Sequence, residues 1–293
     1  MKQSDWRPLN LMNDRTIADL KREIILRSAG KVEQPAEMLL ILFSHILGRE
    51  KTWLLAHPDQ PIAENSQHAL EIAWSRLSEG EPLAYITGIQ AFFGLDFIVT
   101  PHVLIPRPET ELLIEAAIGW LSGHPNARKA IDIGSGSGCI AVSIAKTFKD
   151  LQFLATDISP QALHVAHQNA LRHSVDKQIR FLATDLLEGI SETFDLVCAN
   201  LPYIPSGKLS EVNSIVFEPG LALDGGNTGL DFISRLLEQL PTKLNTPGCC
   251  LLEIEETLGR EILTLARNNF PHDQVSLKQD LAGKDRLLVI IRD

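Results

Sequence analysis

Asn200, Leu201, Pro202 and Tyr203 stand together directly after a short apolar run, 194–199. That run reads as a buried strand, so the four residues fall where a parallel strand opens onto the ligand-binding edge of an α/β sheet. Asn200 supplies an amide oxygen as acceptor, Pro202 stiffens the turn, and Tyr203 supplies an aromatic face. Such a set suits a planar –NH2 group, with two acceptors for its hydrogens and a ring to cover its plane. Asn and Pro also crowd strand ends for turn reasons alone. The chemistry therefore needs a second element nearby.

That element is the loop Asp132-Ile133-Gly134-Ser135-Gly136-Ser137-Gly138, between an apolar strand at 129–133 and an apolar helical run at 139–148. Strand, glycine loop and helix in this order let a ligand approach the main chain closely. The spacing is G-x-G-x-G, which differs from the G-x-G-x-x-G of dinucleotide sites, and no G-x-x-x-x-G-K-[ST] phosphate loop is present. The following strand, 152–156, ends at Asp157, where a carboxylate can accept from ribose hydroxyls. A further strand, 179–183, ends near Asp185. The pattern suits a nucleoside with a compact polar tail better than a pyrophosphate.

To position these residues the chain must supply a parallel sheet, and its texture does so. Residues 16–28, 36–47 and 67–77 carry apolar residues at helical spacing, separated by Gly30, Gly48 and a Pro-containing stretch at 57–61. They predict a helical bundle over 1–82. Aromatic and β-branched residues with Gly88 and Gly94 predict a β-hairpin connector within 83–108. From 109 to 293 strand and helix signals alternate, with strands at 129–133, 152–156, 179–183, 194–199, 248–253, 274–278 and 286–292. A short Gly-containing loop joins the last two. They are expected to pair antiparallel at one edge of an otherwise parallel sheet.

Composition narrows the partners. The chain has 293 residues, 44% hydrophobic and 22% charged, which fits one large core plus a small domain. A net charge of −10 argues against a dedicated duplex-binding surface, which needs clustered Lys and Arg. It does not oppose a cationic ligand. Cys139, Cys198, Cys249 and Cys250 show no C-x-x-C spacing and lie in or beside apolar runs, so buried thiols are expected rather than a metal site. The N-terminus lacks an apolar signal core and no run reaches membrane-spanning length, so a cytoplasmic protein is expected, acting as a monomer.

At this point a family resemblance is visible over nearly the whole length. Glu81-Pro82 with Tyr85-Ile86-Thr87-Gly88, and Pro106-Arg107-Pro108-Glu109-Thr110-Glu111, resemble segments of the release-factor glutamine methyltransferases, the HemK or PrmC type. The glycine loop resembles that family's S-adenosylmethionine motif, and Asn200 to Tyr203 stands in the place of its N-P-P-Y signature. Phe217-Glu218-Pro219, Leu223-Asp224-Gly225-Gly226 and Gly283-Lys284-Asp285-Arg286 resemble later landmarks. The glycine loop is common to many methyltransferases; its combination with 106–111 is far more specific.

The resemblance implies a Rossmann-like class I methyltransferase sheet, α/β, mostly parallel with an antiparallel last strand, carrying a small N-terminal helical domain for substrate recognition. It implies S-adenosylmethionine as cofactor, with Gly134, Ser135, Gly136, Ser137 and Gly138 at its methionine part and Asp157 on the ribose. Asp185 and Leu186 would flank the adenine, Leu186 standing where the family often has an aromatic residue. Asn200 would take one N–H of a glutamine side-chain amide, and the carbonyl of Leu201 or Pro202 the other. Tyr203 would lie against the amide plane. Leu201 replaces the family's usual proline; a main-chain carbonyl survives that change, while a restraint on φ is lost. The implied partner is a peptide chain release factor with its Gly-Gly-Gln loop, with no direct nucleic acid and no membrane.

Other features carry plainer expectations. His164 and His167 stand three apart on a predicted helix without acidic or Cys partners at ligand spacing, and a packing role is expected. Glu109 and Glu111 form either a carboxylate pair or helix N-terminal charge. Glu218 ends a loop or neighbours the pocket. Rival activities are glutamine methylation of a ribosomal protein, adenine-N6 methylation of nucleic acid, which needs a base-flipping pocket and a basic surface, and a non-catalytic cofactor-binding role in translation.

Overall fold

The computed structural model describes residues 15–27, 32–211 and 216–293. Two compact units emerge, 1–87 and 88–293.

The first unit is helical: α1 (Ile17–Arg27), α2 (Pro35–Leu47), α3 (Lys51–Ala56), α4 (Glu64–Ser78) and α5 (Leu83–Thr87). Its core joins Leu20, Leu39, Leu42, Phe43, Leu54 and Leu70, all close to fully buried. The expected helices are present, and Ser28 and Gly30 lie outside the described residues. Two elements differ from expectation. The six residues of α3 are too few for periodicity to reveal. Leu83–Thr87 folds as helix although its β-branched residues suggest strand. Pro82 precedes its first residue, and the Pro82 carbonyl accepts from the Tyr85 and Ile86 amides.

The second unit opens with a hairpin, β1 (Ile89–Phe92) and β2 (Leu95–Ile98), turning at Phe93 and Gly94 with left-handed φ of 49° and 72°. After a 3-10 turn at Pro108–Thr110 come α6 (Glu111–Gly123), β3 (Lys129–Ile133), α7 (Cys139–Thr147), β4 (Gln152–Asp157), α8 (Pro160–Arg172), β5 (Ile179–Ala183) and β6 (Phe194–Ala199). They are followed by α9 (Asp231–Gln239), β7 (Leu244–Glu253), α10 (Gly259–Asn269), β8 (Gln274–Gln279) and β9 (Asp285–Arg292). The seven-stranded sheet has the order β5-β4-β3-β6-β7-β9-β8. β3 to β7 run parallel, β9 is antiparallel to β7, and β8 pairs antiparallel with β9 at the edge, as the sequence leads one to expect.

Burial on both faces explains the continuous apolar strands. Leu196, Cys198, Cys249 and Leu251 point into one core with α6 and α7, while Val197, Ala199, Cys250 and Leu252 point into the other with α9 and α10. The four cysteines are free and buried, and burial raises every thiol, Cys139 and Cys249 to about 12. Among the described residues no helix is long and apolar enough to cross a membrane.

Candidate active site

Strand β3 delivers the glycine loop to the carboxyl edge of the sheet. Gly134, Gly136 and Gly138 have φ of 70°, 54° and 78°, a region that side chains disfavour. A Cβ on Gly134 would stand 3.0 Å from the Leu201 side chain, and one on Gly138 3.0 Å from Ala166. A Cβ on Gly136 would meet nothing within 4 Å among the described residues beyond its own chain neighbours, and this glycine lines the cavity. Backbone bonds fix the loop: Ser135 N donates to Thr156 O (2.8 Å) and Gly138 N to Ser135 O (2.7 Å). Fully buried Asn169 on α8 ties it to the hairpin, donating to the Ser137 and Ile98 carbonyls, both at 2.9 Å.

Asp157 ends β4 beside this loop. Its carboxylate accepts from Gly136 N and Ser159 N, each at 2.9 Å. Burial nevertheless raises its pKa, outweighing those donors. Such a carboxylate has unused acceptor capacity toward the cavity it lines. Ser159 caps α8, its side chain accepting from Ala162 N, with Pro160 at the first helical position. Beyond β5, Asp185 and buried Leu186 also line the cavity. Asp185 is held by Arg235 of α9 at 2.7 Å. Phe232, one turn earlier on α9, adds an aromatic wall that the sequence did not single out.

The turn after β6 forms a further wall through Asn200, Leu201 and Pro202. Asn200 Nδ2 donates to Thr110 Oγ1 at 3.1 Å. Leu201 is buried against Gly134 and belongs to the core shared with α9 and α10, so a leucine fills apolar space here. Tyr203 lies outside the cavity wall. It is largely buried, which raises its hydroxyl pKa to about 12. The 223–226 segment clamps this turn: Ile204 N donates to Leu223 O (3.1 Å) and Gly225 N to Ile204 O (2.8 Å). No side chain fits at Gly225, where a Cβ would come within 2.8 Å of the Pro202 carbonyl oxygen.

Two groups of acids were hard to place from sequence. Buried Glu218 receives Arg107 Nη2 on both oxygens, at 2.6 and 2.7 Å, and both flanks of this pair, Arg107 and Pro219, line the cavity. Glu111 caps the hairpin, accepting from Phe93 N at 2.9 Å. Glu253, at the carboxyl end of β7, is buried and was not singled out. Burial raises its pKa to about 7, the nearby Thr110 and Asn200 side chains partly offset that rise, and its Oε2 has no hydrogen-bond partner among the described residues. His167 packs edge-on against Phe181, and His164 meets Gln168.

The sheet order, the glycine loop after its first parallel strand, and the acid ending the next strand together define a class I S-adenosylmethionine-dependent methyltransferase. The residues suit that cofactor: an open glycine faces the cavity, and a desolvated carboxylate beside it gains from hydroxyl donors and a nearby cationic centre. Two family models match, "PrmC N-terminal domain" over residues 23–88 and "Methyltransferase small domain" over 110–226. Release factor glutamine methyltransferases of Koribacter versatilis and Bordetella pertussis are each 38% identical, covering 86% and 84% of this chain and 88% and 91% of their own. That of Bacillus cereus is 34% identical over 90% of this chain and 94% of its own. Among solved structures, the hMettl16 catalytic domain with a MAT2A 3'UTR hairpin matches at TM-score 0.53 and 17% identity, over 78% of this chain and 82% of that one. The T. thermophilus 16S rRNA methyltransferase with AdoMet and guanosine matches at 0.51 and 17%, over 70% and 50%. These last two share the fold. The chain belongs to the release factor glutamine methyltransferase family.

Proposed function

We propose that the protein transfers a methyl group from S-adenosylmethionine to the side-chain amide nitrogen of the glutamine in the Gly-Gly-Gln loop of peptide chain release factors. One observation carries the residue-level reading. Asn200 lines the cavity while its nitrogen is bound to Thr110, which leaves the amide oxygen as the end available to a ligand.

An amide nitrogen is a poor nucleophile because its lone pair is delocalised into the carbonyl. Asn200 Oδ1 accepts one N–H of the glutamine amide, and the Leu201 carbonyl accepts the other, since the Pro202 carbonyl is turned toward Gly225. Two acceptors favour positive charge growing at nitrogen and fix the direction of its lone pair. Tyr203, which follows these residues but does not itself line the cavity, is assigned the face of the amide plane. When bound, the cofactor supplies a methyl on a positively charged sulfur. Gly134, Ser135, Gly136, Ser137 and Gly138 hold its methionine end, Asp157 its ribose, and Asp185 with Leu186 its adenine. Alignment supplies much of the acceleration, as held geometry is worth up to ~7–11 kcal/mol in favourable systems. No residue is required as a general base.

The helical unit, which we assign to residues 1–82, grips the protein substrate, because the described residues of the methyltransferase unit offer no other evident recognition module. The connector then spans 83–108 and the catalytic domain 109–293. Transfer of labelled methyl to a release factor, compared with a variant whose loop glutamine is replaced by glutamate, tests the reading. Label is expected on the first alone; equal labelling of both contradicts the assigned acceptor. Labelling of a ribosomal protein in its place would favour the nearest rival.

A further inference from the structure

Strands β6 and β7 are neighbours in parallel register, with Ala199 opposite Leu252. The next residue on each, Asn200 and Glu253, therefore come level at the carboxyl edge. Thr110 reaches the same point from the 3-10 turn before α6. Thr110 and Glu253 are 2% and 4% exposed, so neither side chain has bulk water as an alternative partner. Resting on the proposed role of Asn200, we propose that Thr110 and Glu253 form a polar bracket that sets which end of the Asn200 amide faces the cavity. They are positioning residues for the transfer.

Proton counting gives the direction. An ionised carboxylate only accepts, and a hydroxyl has one proton to give. Thr110 and Asn200 stand beside the Glu253 carboxyl and oppose the rise in its pKa, while its Oε2 has no hydrogen-bond partner among the described residues, so this carboxyl is the acceptor open to the Thr110 proton. With its proton directed there, Thr110 Oγ1 offers its lone pairs to the amide, and these accept from Asn200 Nδ2 at 3.1 Å. The –NH2 end of Asn200 is thus turned inward and its oxygen outward. A flipped amide would set oxygen against carboxylate and hydroxyl lone pairs in a buried site, leaving acceptors facing acceptors.

The bracket also has a pH-sensitive member. Burial pushes Glu253 up to about 7, the Glu109 charge adds to that rise, and Arg286 on β9 opposes it. Tyr203 and Cys139 stand within electrostatic reach. A protonated Glu253 can donate to Thr110, which frees the hydroxyl proton for the amide oxygen and permits the flipped amide. Turnover should therefore rise with pH through about 7.

The test measures kcat on a purified release factor, together with equilibrium S-adenosylmethionine binding, for the full chain and four variants. Thr110→Val is expected to lower kcat about tenfold or more while cofactor Kd stays within about threefold, and Thr110→Ser to restore most of the rate. Glu253→Gln is expected to abolish the rise in kcat between about pH 6 and 8, and it decides the matter should Thr110→Val fail to fold. Asn200→Ala is the control on the underlying reading. If Asn200→Ala turns over normally, that reading falls and the bracket with it. If Asn200→Ala is inactive while Thr110→Val turns over like the parent, or Glu253→Gln keeps the rise, the bracket alone is overturned.

Discussion

Arg107 places a single nitrogen, Nη2, between both oxygens of Glu218, at 2.6 and 2.7 Å, across 111 residues of sequence. The contact ties the Pro106–Glu111 segment to the loop ahead of Asp224 and so joins two walls of the cavity. Glu218 is 4% exposed, and its carboxyl is raised by burial and lowered by Arg107. Arg107→Ala leaves that carboxyl without its partner, a loss of about 1–3 kcal/mol. Urea unfolding should show the loss, with weaker cofactor binding alongside. Unchanged stability and unchanged binding would show that the pair does not hold the wall.

Phe232 of α9 lines the cavity together with Asp185 and Leu186. With the adenine placed as proposed, this ring is available as a stacking surface. Phe232→Ala should weaken S-adenosylmethionine binding about tenfold in calorimetry, and Phe232→Tyr much less, given stacking worth roughly 1–3 kcal/mol per base. Equal effects of the two substitutions would point to packing of α9 instead.

Asp132 gives stability an unusual pH dependence. It is fully buried, Oδ2 accepts from Ala141 N at 3.2 Å, and Oδ1 has no partner among the described residues. Burial, the leading cause, raises its pKa to about 7 from 3.8. A carboxyl raised in this way contributes stability that is full below the unfolded value and is lost as pH rises through about 7. Glu253 acts in the same sense. Going from about pH 5 to about pH 8.5, Asp132→Asn should gain on the parent by about 3 kcal/mol in denaturant unfolding. A difference independent of pH would place Asp132 in its charged form throughout.

The helical unit has its own core, and so does the sheet unit. A chain starting at Gly88 should therefore still bind S-adenosylmethionine in calorimetry while losing methylation of a release factor. Retained methylation would remove substrate gripping from the helical unit.

Much of the fold was legible because the strands are short, apolar and separated by helical periodicity. Strands 129–133, 179–183 and 194–199 have the expected limits. β7 begins at Leu244, earlier than expected, since Pro247 and Gly248 in its first half read as a breaker. The contiguous parts of the candidate site, the glycine loop, Asp157 and the turn at Asn200, were likewise open to reading. Glu253 and Phe232 were brought to the site by topology from distant segments, and no local spacing announces them. Arg107, Thr110 and Glu218 lie in motif segments visible in the sequence, but their contacts across the fold were not readable there. Glu253 left one faint sign: an acid closing an apolar run at the same sheet edge as Asp157.

The most direct test is tandem mass spectrometry of a purified release factor after incubation with this protein and S-adenosylmethionine. One added methyl, placed on the side-chain nitrogen of the Gly-Gly-Gln glutamine, is the expected result. An unmodified loop, with cofactor binding intact, would contradict the proposed substrate and turn attention to ribosomal proteins.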